Sequence, residues 1–378
     1  MPLNLVESCR RLPLLATLSL TLAACSGLNA HNLAGAAPPQ KMQKTQKAPQ
    51  AAAEAAPGDF TDAARWPQVA QFIERMVELH GFDRAELQRL FDQVRHLDSV
   101  IRLMQPAPPS KPKNWNAYRA RFVDPVRINA GVRFWNQYSD KLAQAEERFG
   151  VPAEIIVAIL GVETIYGRNT GSFRVMDSVA TLAFDYPDTP NRTARMDYFR
   201  GELENTLLFA RQSGIDPFTL IGSYAGAIGL PQFMPGSIMR YAVDFDSDNV
   251  IDLRNSPADA IGSIANFLLQ HGWRAGEPIV FPATVSEQDG RRDWEALIGQ
   301  GLKASYSVEQ LRAAGVRPAI EPLPDMLYGL IDLQNGTDPT EYWLATANFF
   351  AITYYNRSYF YAMSVVDLAR AIRTARNH

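Results

Sequence analysis

An uncharged apolar run from Ile155 to Val162 constrains the fold more than any other segment. It follows Val151-Pro152, and proline is favoured in the first turn of a helix. The run therefore predicts a helix that is apolar on every side, and such a helix is stable only when other elements bury it. We expect a helical core built around it.

The rest of the chain supplies partners for this helix. With 47% hydrophobic residues in 378, the chain can build a large core. Between Glu277 and Asn335 short strand-like runs alternate with Pro and Gly, and Ser307–Ala314 predicts one short helix. Other helices are predicted from helical spacing and capping signals at Trp66–Gly81, from Asp83 through Val94, from Asp124 to about Phe149, Met196–Gln212, Ser256–Gln270 and Tyr359–Arg373. The predicted fold class is mainly α (α+β), with a small β-containing insertion.

Composition excludes several classes of protein. The 37 Lys+Arg and 40 Asp+Glu give a net charge of −3, which argues against a nucleic-acid partner. Two Cys and five His exclude a disulfide scaffold and a cysteine-rich zinc site. The chain has no glycine-rich phosphate-binding motif, and we predict no organic cofactor.

The pattern of the N-terminal residues indicates a targeting segment. Arg10 and Arg11 precede an apolar stretch, Leu12–Ala24, that is shorter than the roughly 20 residues of a membrane-spanning helix. Leu22-Ala23-Ala24-Cys25 resembles the bacterial lipobox; the alternative is an ordinary signal peptide that contains a Cys. We predict a lipoprotein signal peptide at 1–25, lipidation of Cys25 as the membrane attachment, and a flexible tether at 26–58. Ser26 favours the outer membrane of a Gram-negative bacterium, facing the periplasm, and we expect a monomer.

Glu163 is the candidate catalytic residue. It follows the apolar run in the last turn of the predicted helix, and Gly167 can end that helix. Apolar surroundings and the negative end of the helix dipole both disfavour a carboxylate, so both raise its pKa, as a general acid requires. The alternative is an exposed or salt-bridged residue at a helix end, and position alone favours that alternative.

Two other segments carry candidate ligand-binding groups. Ser223–Pro235 combines small residues with Ser223 and Gln232, and small residues let a backbone approach a ligand closely. Tyr354–Tyr361 interleaves aromatic rings with polar side chains, a pattern suited to stacking on sugars. The alternatives are a tight structural turn for the first segment and ordinary core packing for the second.

Three segments together resemble the membrane-bound lytic murein transglycosylase B family, and the likeness extends from about Trp66 to the C-terminus. These segments are Gly161-Val162-Glu163-Thr164, Ser223–Pro235 and Tyr355-Asn356-Arg357-Ser358. The resemblance implies cleavage of the β-1,4 bond between MurNAc and GlcNAc in peptidoglycan glycan strands without added water, leaving 1,6-anhydro-MurNAc ends. We expect a helical region at 59–150, a lysozyme-like core at 151–275, the β-containing insertion at 276–340 and a segment completing the core at 341–378.

The resemblance also implies roles for individual residues. Glu163 would act as acid and then as base, and the residues matching glycan-binding positions are Tyr118, Arg195, Ser223, Gln232, Tyr355, Asn356 and Tyr361. One alternative is a hydrolytic muramidase, which needs a second carboxylate such as Asp177 or Asp185. The other alternative is a non-catalytic peptidoglycan-binding lipoprotein.

A calcium site is predicted separately. The positions that match ligands of an EF-hand loop are Asp244, Asp246, Asp248, Asp252 and the carbonyl of Val250. Asn249 replaces the usual Gly and tolerates the same left-handed conformation. Asn255 stands where Glu is usual, and the resemblance suggests that Asp259 completes the site. The alternative for Asp259 is a capping box with Ser256. We predict one structural Ca²⁺.

Overall fold

In the computed structural model, which describes residues 59–106 and 112–378, the apolar run forms helix α7 (Ala153–Thr164). Every residue from Ile155 to Val162 is buried, as the sequence predicts. The predicted signal peptide, the lipidation site at Cys25 and the tether lie outside the described residues. Among the residues described, no helix is long and apolar enough to cross a bilayer.

Four helices pack directly against α7: α5 (Pro125–Gln137), α6 (Ser139–Phe149), α11 (Pro257–Gln270) and α14 (Tyr359–Asn377). The prediction of one helix from Asp124 to Phe149 is wrong. Tyr138 leaves the helical region (φ −115°, ψ 28°), so the segment forms two helices, one on each side of it. Asp124 begins α5 by accepting hydrogen bonds from the next two available amides.

The first three helices contact the helix at 175–184: Phe72 and Phe91 pack on Phe184, and the helix at 98–104 contacts the same element. The first of them ends at Gly81 in the left-handed conformation, and Asp83 begins the second by accepting from the amide of Glu86. The sequence patterns do not predict the helices at 98–104, 115–119, 175–184, 235–241 and 347–353. With the helix at 192–213, these elements are α1 (Pro67–His80), α2 (Arg84–Phe91), α3 (Asp98–Met104), α4 (Trp115–Arg119), α8 (Val175–Phe184), α9 (Arg192–Ser213), α10 (Pro235–Tyr241) and α13 (Ala347–Thr353).

The strands form two antiparallel sheets. The larger has the order β4-β3-β6-β5 and encloses a second, smaller core with α12 (Val308–Ala313), which begins at the predicted cap Ser307. The strands are β1 (Phe173–Arg174), β2 (Ile221–Gly222), β3 (Val280–Val285), β4 (Val316–Pro318), β5 (Gly329–Asn335) and β6 (Asp338–Ala345). The predicted fold class, mainly helical with a small β-containing part, is confirmed.

A slot between α5 and α7 holds the turn that follows α7. A Cβ atom at either Gly131 or Gly161 would lie 2.5 Å from the hydroxyl oxygen of Tyr166. Tyr166 stacks on Phe134, with ring centroids 5.3 Å apart. Ile165 and Tyr166 have φ angles of 52° and 57°, a conformation costly for a β-branched residue. The two glycines therefore make room for the side chain that fixes this strained turn.

Filling that slot should destabilise the protein. In Gly161→Ala the added methyl overlaps the Tyr166 hydroxyl, and we expect the free energy of unfolding to fall by about 1–3 kcal/mol. Gly201→Ala is the matched control, because the methyl there meets nothing and removes a flexible residue from α9. It should raise stability by about 0.5–1 kcal/mol. Denaturant unfolding measures both, and an equal change in the two variants would contradict the account.

Candidate active site

Glu163 lies in a cleft with a volume of about 350 Å³. The C-terminal turn of α7, the loop before β1, the loop after β2, the end of α4 and the start of α14 form its walls. Its lining residues are Tyr118, Phe122, Val162, Glu163, Asn169, Gly171, Ser172, Phe173, Ser223, Tyr224, Ala227, Gln232, Tyr355, Asn356 and Tyr361.

The Glu163 carboxyl is partly exposed to the cleft and otherwise surrounded by protein. Burial raises its pKa from 4.5 to about 7, because a charge is poorly solvated there. One hydrogen bond opposes that rise: the hydroxyl of Tyr361 donates to Oε1 at 2.5 Å and stabilises the carboxylate. Near neutral pH this carboxyl can therefore both give and take a proton.

Tyr361 and Tyr355 remain protonated beside this carboxyl. Burial, followed by the charge of Glu163, raises the pKa of both phenols well above 10. Their rings are stacked, with an interplanar angle of 14°, and the Tyr355 hydroxyl donates to the carbonyl of Pro231 at 2.5 Å. Ser358 caps α14 by accepting from the amide of Tyr361. Tyr361 is therefore a fixed hydrogen-bond donor to Glu163.

The loop Ser223–Pro235 is fastened to the end of α7. The hydroxyl of Thr164 donates to the carbonyl of Leu230 at 2.9 Å and accepts from the amide of Gly167 at 3.0 Å. Gln232 has a left-handed backbone (φ 52°), and its side-chain amide donates to the carbonyl of Gly229 at 2.8 Å. Thr164, the residue after Glu163, therefore holds the Ser223–Pro235 loop against the end of α7.

Most of the predicted site residues meet in this cleft. Tyr118, Ser223, Gln232, Tyr355, Asn356 and Tyr361 line it with Glu163. Arg195 does not: it is buried in α9, where its charge acts on Tyr186 and Tyr198.

Sequence reasoning missed several lining residues, namely Phe122, Asn169, Ser172, Phe173 and Tyr224. A signal existed for part of this set. Gly171 has φ 92°, and a Cβ there would lie 2.0 Å from the carbonyl oxygen of Gly222, so the loop must pass close to β2. Both values are properties of the fold; the signal in the sequence is the pair Gly167 and Gly171, which is typical of a backbone that approaches another segment closely and could have indicated Asn169 between them.

Glu163 is the one acidic residue among those that line the cleft. Asp177 is buried elsewhere and bound by Arg174, at 2.6 Å from its Nε. Asp185 pairs with His96 at 3.0 Å and Arg192 at 3.2 Å. Neither of the carboxylates considered as a second catalytic group faces the cavity.

A separate acidic cluster brings together part of the predicted calcium site. Carboxylate oxygens of Asp244, Asp246 and Asp259 lie within 4.8 Å of one another. Asp259 is 1% exposed, and its two oxygens accept from the amides of Phe245 and Asp252 at 2.8 Å each. Burial raises its pKa, the two amides lower it, and the charges of Asp246 and Asp244 raise it further. A cation would relieve that repulsion.

The other predicted ligands take part in the loop itself. Asp248 accepts from the amide of Val250 at 2.8 Å, and Asp252 accepts from Arg254 and Asn255. Asn249 has the expected left-handed backbone, φ 70°. Half of the capping alternative holds: Ser256 caps α11 by accepting from the amide of Asp259 at 3.1 Å, but the Asp259 carboxylate accepts from Phe245 and Asp252 and does not complete a capping box. Asp259 therefore belongs to both the helix start and the acidic cluster.

Comparisons with known proteins agree over most of the chain. Residues 64–370 match the family described as Transglycosylase SLT domain. The chain is 45% identical over 328 residues to membrane-bound lytic murein transglycosylase B of Escherichia coli K12, covering 84% of this chain and 85% of that protein.

Several solved structures are similar to this one. The Escherichia coli lytic transglycosylase Slt35 in complex with calcium is 44% identical, with a TM-score of 0.74, 85% of this chain covered and 96% of that chain. SltB3 of Pseudomonas aeruginosa in complex with NAG-NAM-pentapeptide is 28% identical, with a TM-score of 0.68, 84% of this chain covered and 80% of that chain.

Burial and the Tyr361 hydrogen bond shift the pKa of Glu163 in opposite directions. Carboxyl-carbon NMR measures this pKa as the pH is varied. The wild-type Glu163 pKa should be about 7. In Tyr361→Phe the carboxylate loses its donor, so the pKa should rise by about one pH unit. Tyr355→Phe is the control, because that hydroxyl bonds Pro231 instead. Identical titration of Glu163 in the wild type and Tyr361→Phe would refute the assigned hydrogen bond.

Proposed function

The chain belongs to the transglycosylase SLT domain family and is a peptidoglycan lytic transglycosylase, and on this premise we propose that Glu163 carries out both proton transfers of the reaction. The observation that carries the proposal is a single carboxyl with a pKa of about 7 in a cleft whose lining contains no second acid.

In the first step protonated Glu163 donates its proton to the oxygen that links MurNAc to GlcNAc. The bond between C1 and that oxygen breaks, and the leaving GlcNAc departs with the proton. The N-acetyl group of MurNAc stabilises the positive charge that develops at C1, as in substrate-assisted glycosidases. A pKa near the working pH keeps a large fraction of Glu163 in the acid form.

In the second step the C6 hydroxyl of the same MurNAc attacks C1. Glu163, now a carboxylate held by the Tyr361 hydroxyl, takes the proton of that C6 hydroxyl and returns to its starting state. The attack is intramolecular and benefits from a high effective concentration, so water need not be activated by a second carboxylate. The product ends in 1,6-anhydro-MurNAc.

The other polar and aromatic groups of the cleft would bind the glycan strand. Tyr355 offers a ring face beside Glu163, and Tyr118 lies against Phe122 with ring centroids 5.1 Å apart. Ser223, Gln232 and Asn356 offer hydroxyl and amide groups to sugar hydroxyls and N-acetyl groups. We further propose a lipid at Cys25 that holds the enzyme on the outer membrane, facing the periplasm.

The acidic cluster would hold a structural Ca²⁺. Asp244, Asp246 and Asp259 supply hard oxygen ligands, which calcium prefers, and the mutual repulsion of these carboxylates favours a cation. The ion would tie the loop that starts at Asp244 to the first turn of α11. The site lies apart from the residues lining the cleft, so its role is stability of the fold.

Removing the Glu163 carboxyl should abolish catalysis. In Glu163→Gln we expect release of 1,6-anhydro-muropeptides from purified sacculi to fall by at least about 10³-fold, measured by mass spectrometry. Glu154→Gln, at the other end of α7 and paired with Arg373, is the matched control and should retain activity. Retained turnover in Glu163→Gln would refute the assignment, and reducing MurNAc ends from the wild type would indicate hydrolysis instead.

Calcium should raise the thermal stability of the protein. At free calcium about 100-fold above Kd, binding to the native state contributes about 2.7 kcal/mol. Asp246→Ala should lose this calcium-dependent rise in Tm, because the cluster loses one of its three carboxylates. Asp98→Ala, an exposed acid elsewhere, should keep the rise. An equal rise in wild type and Asp246→Ala would contradict the site.

A further inference from the structure

A second concave surface lies on the larger sheet, apart from the residues that line the Glu163 cleft. Its cavity of about 380 Å³ is formed by residues 282–285 of β3 and 340–343 of β6. Pro282 and Trp343 are cross-strand partners, so their side chains lie on the same face of the sheet. The Pro282 and Trp343 rings both contribute apolar surface to this cavity, which we name the Trp343 face.

Polar groups border the Trp343 face. The indole nitrogen of Trp343 donates to the carboxylate of Glu341 at 3.3 Å, and Thr284 is exposed on β3. The guanidinium of Arg370 stands over the Trp343 ring, 5.8 Å from its centroid, near the outer limit of a cation–π contact. An aromatic face bordered by a carboxylate, a hydroxyl and a guanidinium suits a sugar ring, which has an apolar face and hydroxyl edges.

A line of charged side chains connects the Trp343 face with the catalytic cleft. Arg370 pairs with Asp367 at 3.5 Å, and Asp367 pairs with Arg119 at 2.5 Å. Arg119 adjoins Tyr118, which lines the cleft. The two arginine side chains are 45% and 44% exposed and share Asp367, so two positive charges against one negative leave this group with a net charge of +1. Along α14, Arg370 lies about 13.5 Å beyond Tyr361.

We propose that the Trp343 face is a second binding site for peptidoglycan, an inference that rests on the proposed function of the cleft. An N-acetylated sugar of the strand stacks on Trp343, and carboxylates of the peptides attached to the strand pair with Arg119 and Arg370. The occupant follows from three observations: the surface has sugar-binding chemistry, its link to the cleft is positively charged, and the substrate is a polymer longer than the cleft. The site retains the strand between successive cuts.

Binding is measured first, without cleavage. In a Glu163→Gln background, sedimentation with purified sacculi gives the dissociation constant of each variant. Trp343→Ala and Arg370→Ala should each bind about tenfold more weakly. Arg373→Ala is the matched control, because it removes an exposed guanidinium from the same helix, paired with Glu154 away from the Trp343 face. Unchanged binding in Trp343→Ala would overturn the proposal, as would equal weakening in Arg373→Ala.

Turnover then separates this inference from the proposed function. With Glu163 intact, Trp343→Ala should keep kcat/KM on a soluble GlcNAc–MurNAc tetrasaccharide and lose activity on sacculi. Thr284→Glu, at an exposed position, tests the site without removing a packed ring and should behave in the same way. An inactive parent enzyme on the tetrasaccharide would refute the proposed function. If the parent enzyme is active and both variants match it on sacculi, only the second site is refuted. The second site is also refuted if the variants bind sacculi normally but bind phospholipid vesicles more weakly.

Discussion

Burial of α7 up to its last turn is the constraint on which this structure depends. A helix with no polar face must be enclosed, and the elements around its last turn leave Glu163 open to the cleft. The turn that follows is strained at Ile165 and Tyr166, and it persists because Tyr166 fits between Gly131 and Gly161. The same packing that stabilises the core therefore orients the one carboxyl of the cleft.

Two opposed effects set the acidity of Glu163. Burial favours the neutral acid, and the hydrogen bond from Tyr361 favours the carboxylate. If burial acted alone, the pKa would lie higher and the carboxylate would be a poorly stabilised intermediate. If the hydrogen bond dominated, the acid form would be scarce at neutral pH. Their balance gives a group that can donate a proton in one step and accept one in the next.

The sequence was sufficient for the parts of the site that lie on continuous motifs. The apolar run predicted α7 and a raised pKa at Glu163, and the capping signals predicted the starts of α2 and α12. It could not predict that Tyr361, 198 residues away, donates to Glu163, because that contact depends on how α14 packs on α7. It also did not predict the break at Tyr138, because the apolar residues keep helical spacing on both sides of it and only the backbone angles of that residue depart from the helix. The position of Arg195 in the sequence did not reveal that its side chain is buried on the packed side of α9, away from the residues that line the cleft.

The pH dependence of kcat/KM on a soluble peptidoglycan fragment tests most directly whether Glu163 alone carries out both proton transfers. Free enzyme must hold the proton on Glu163, so the profile should be flat at low pH and decrease once, as pH rises through about 7. A bell-shaped profile with an additional acidic limb near the pKa of an ordinary carboxyl, about 4 to 5, would show that a second carboxylate participates and would contradict the account.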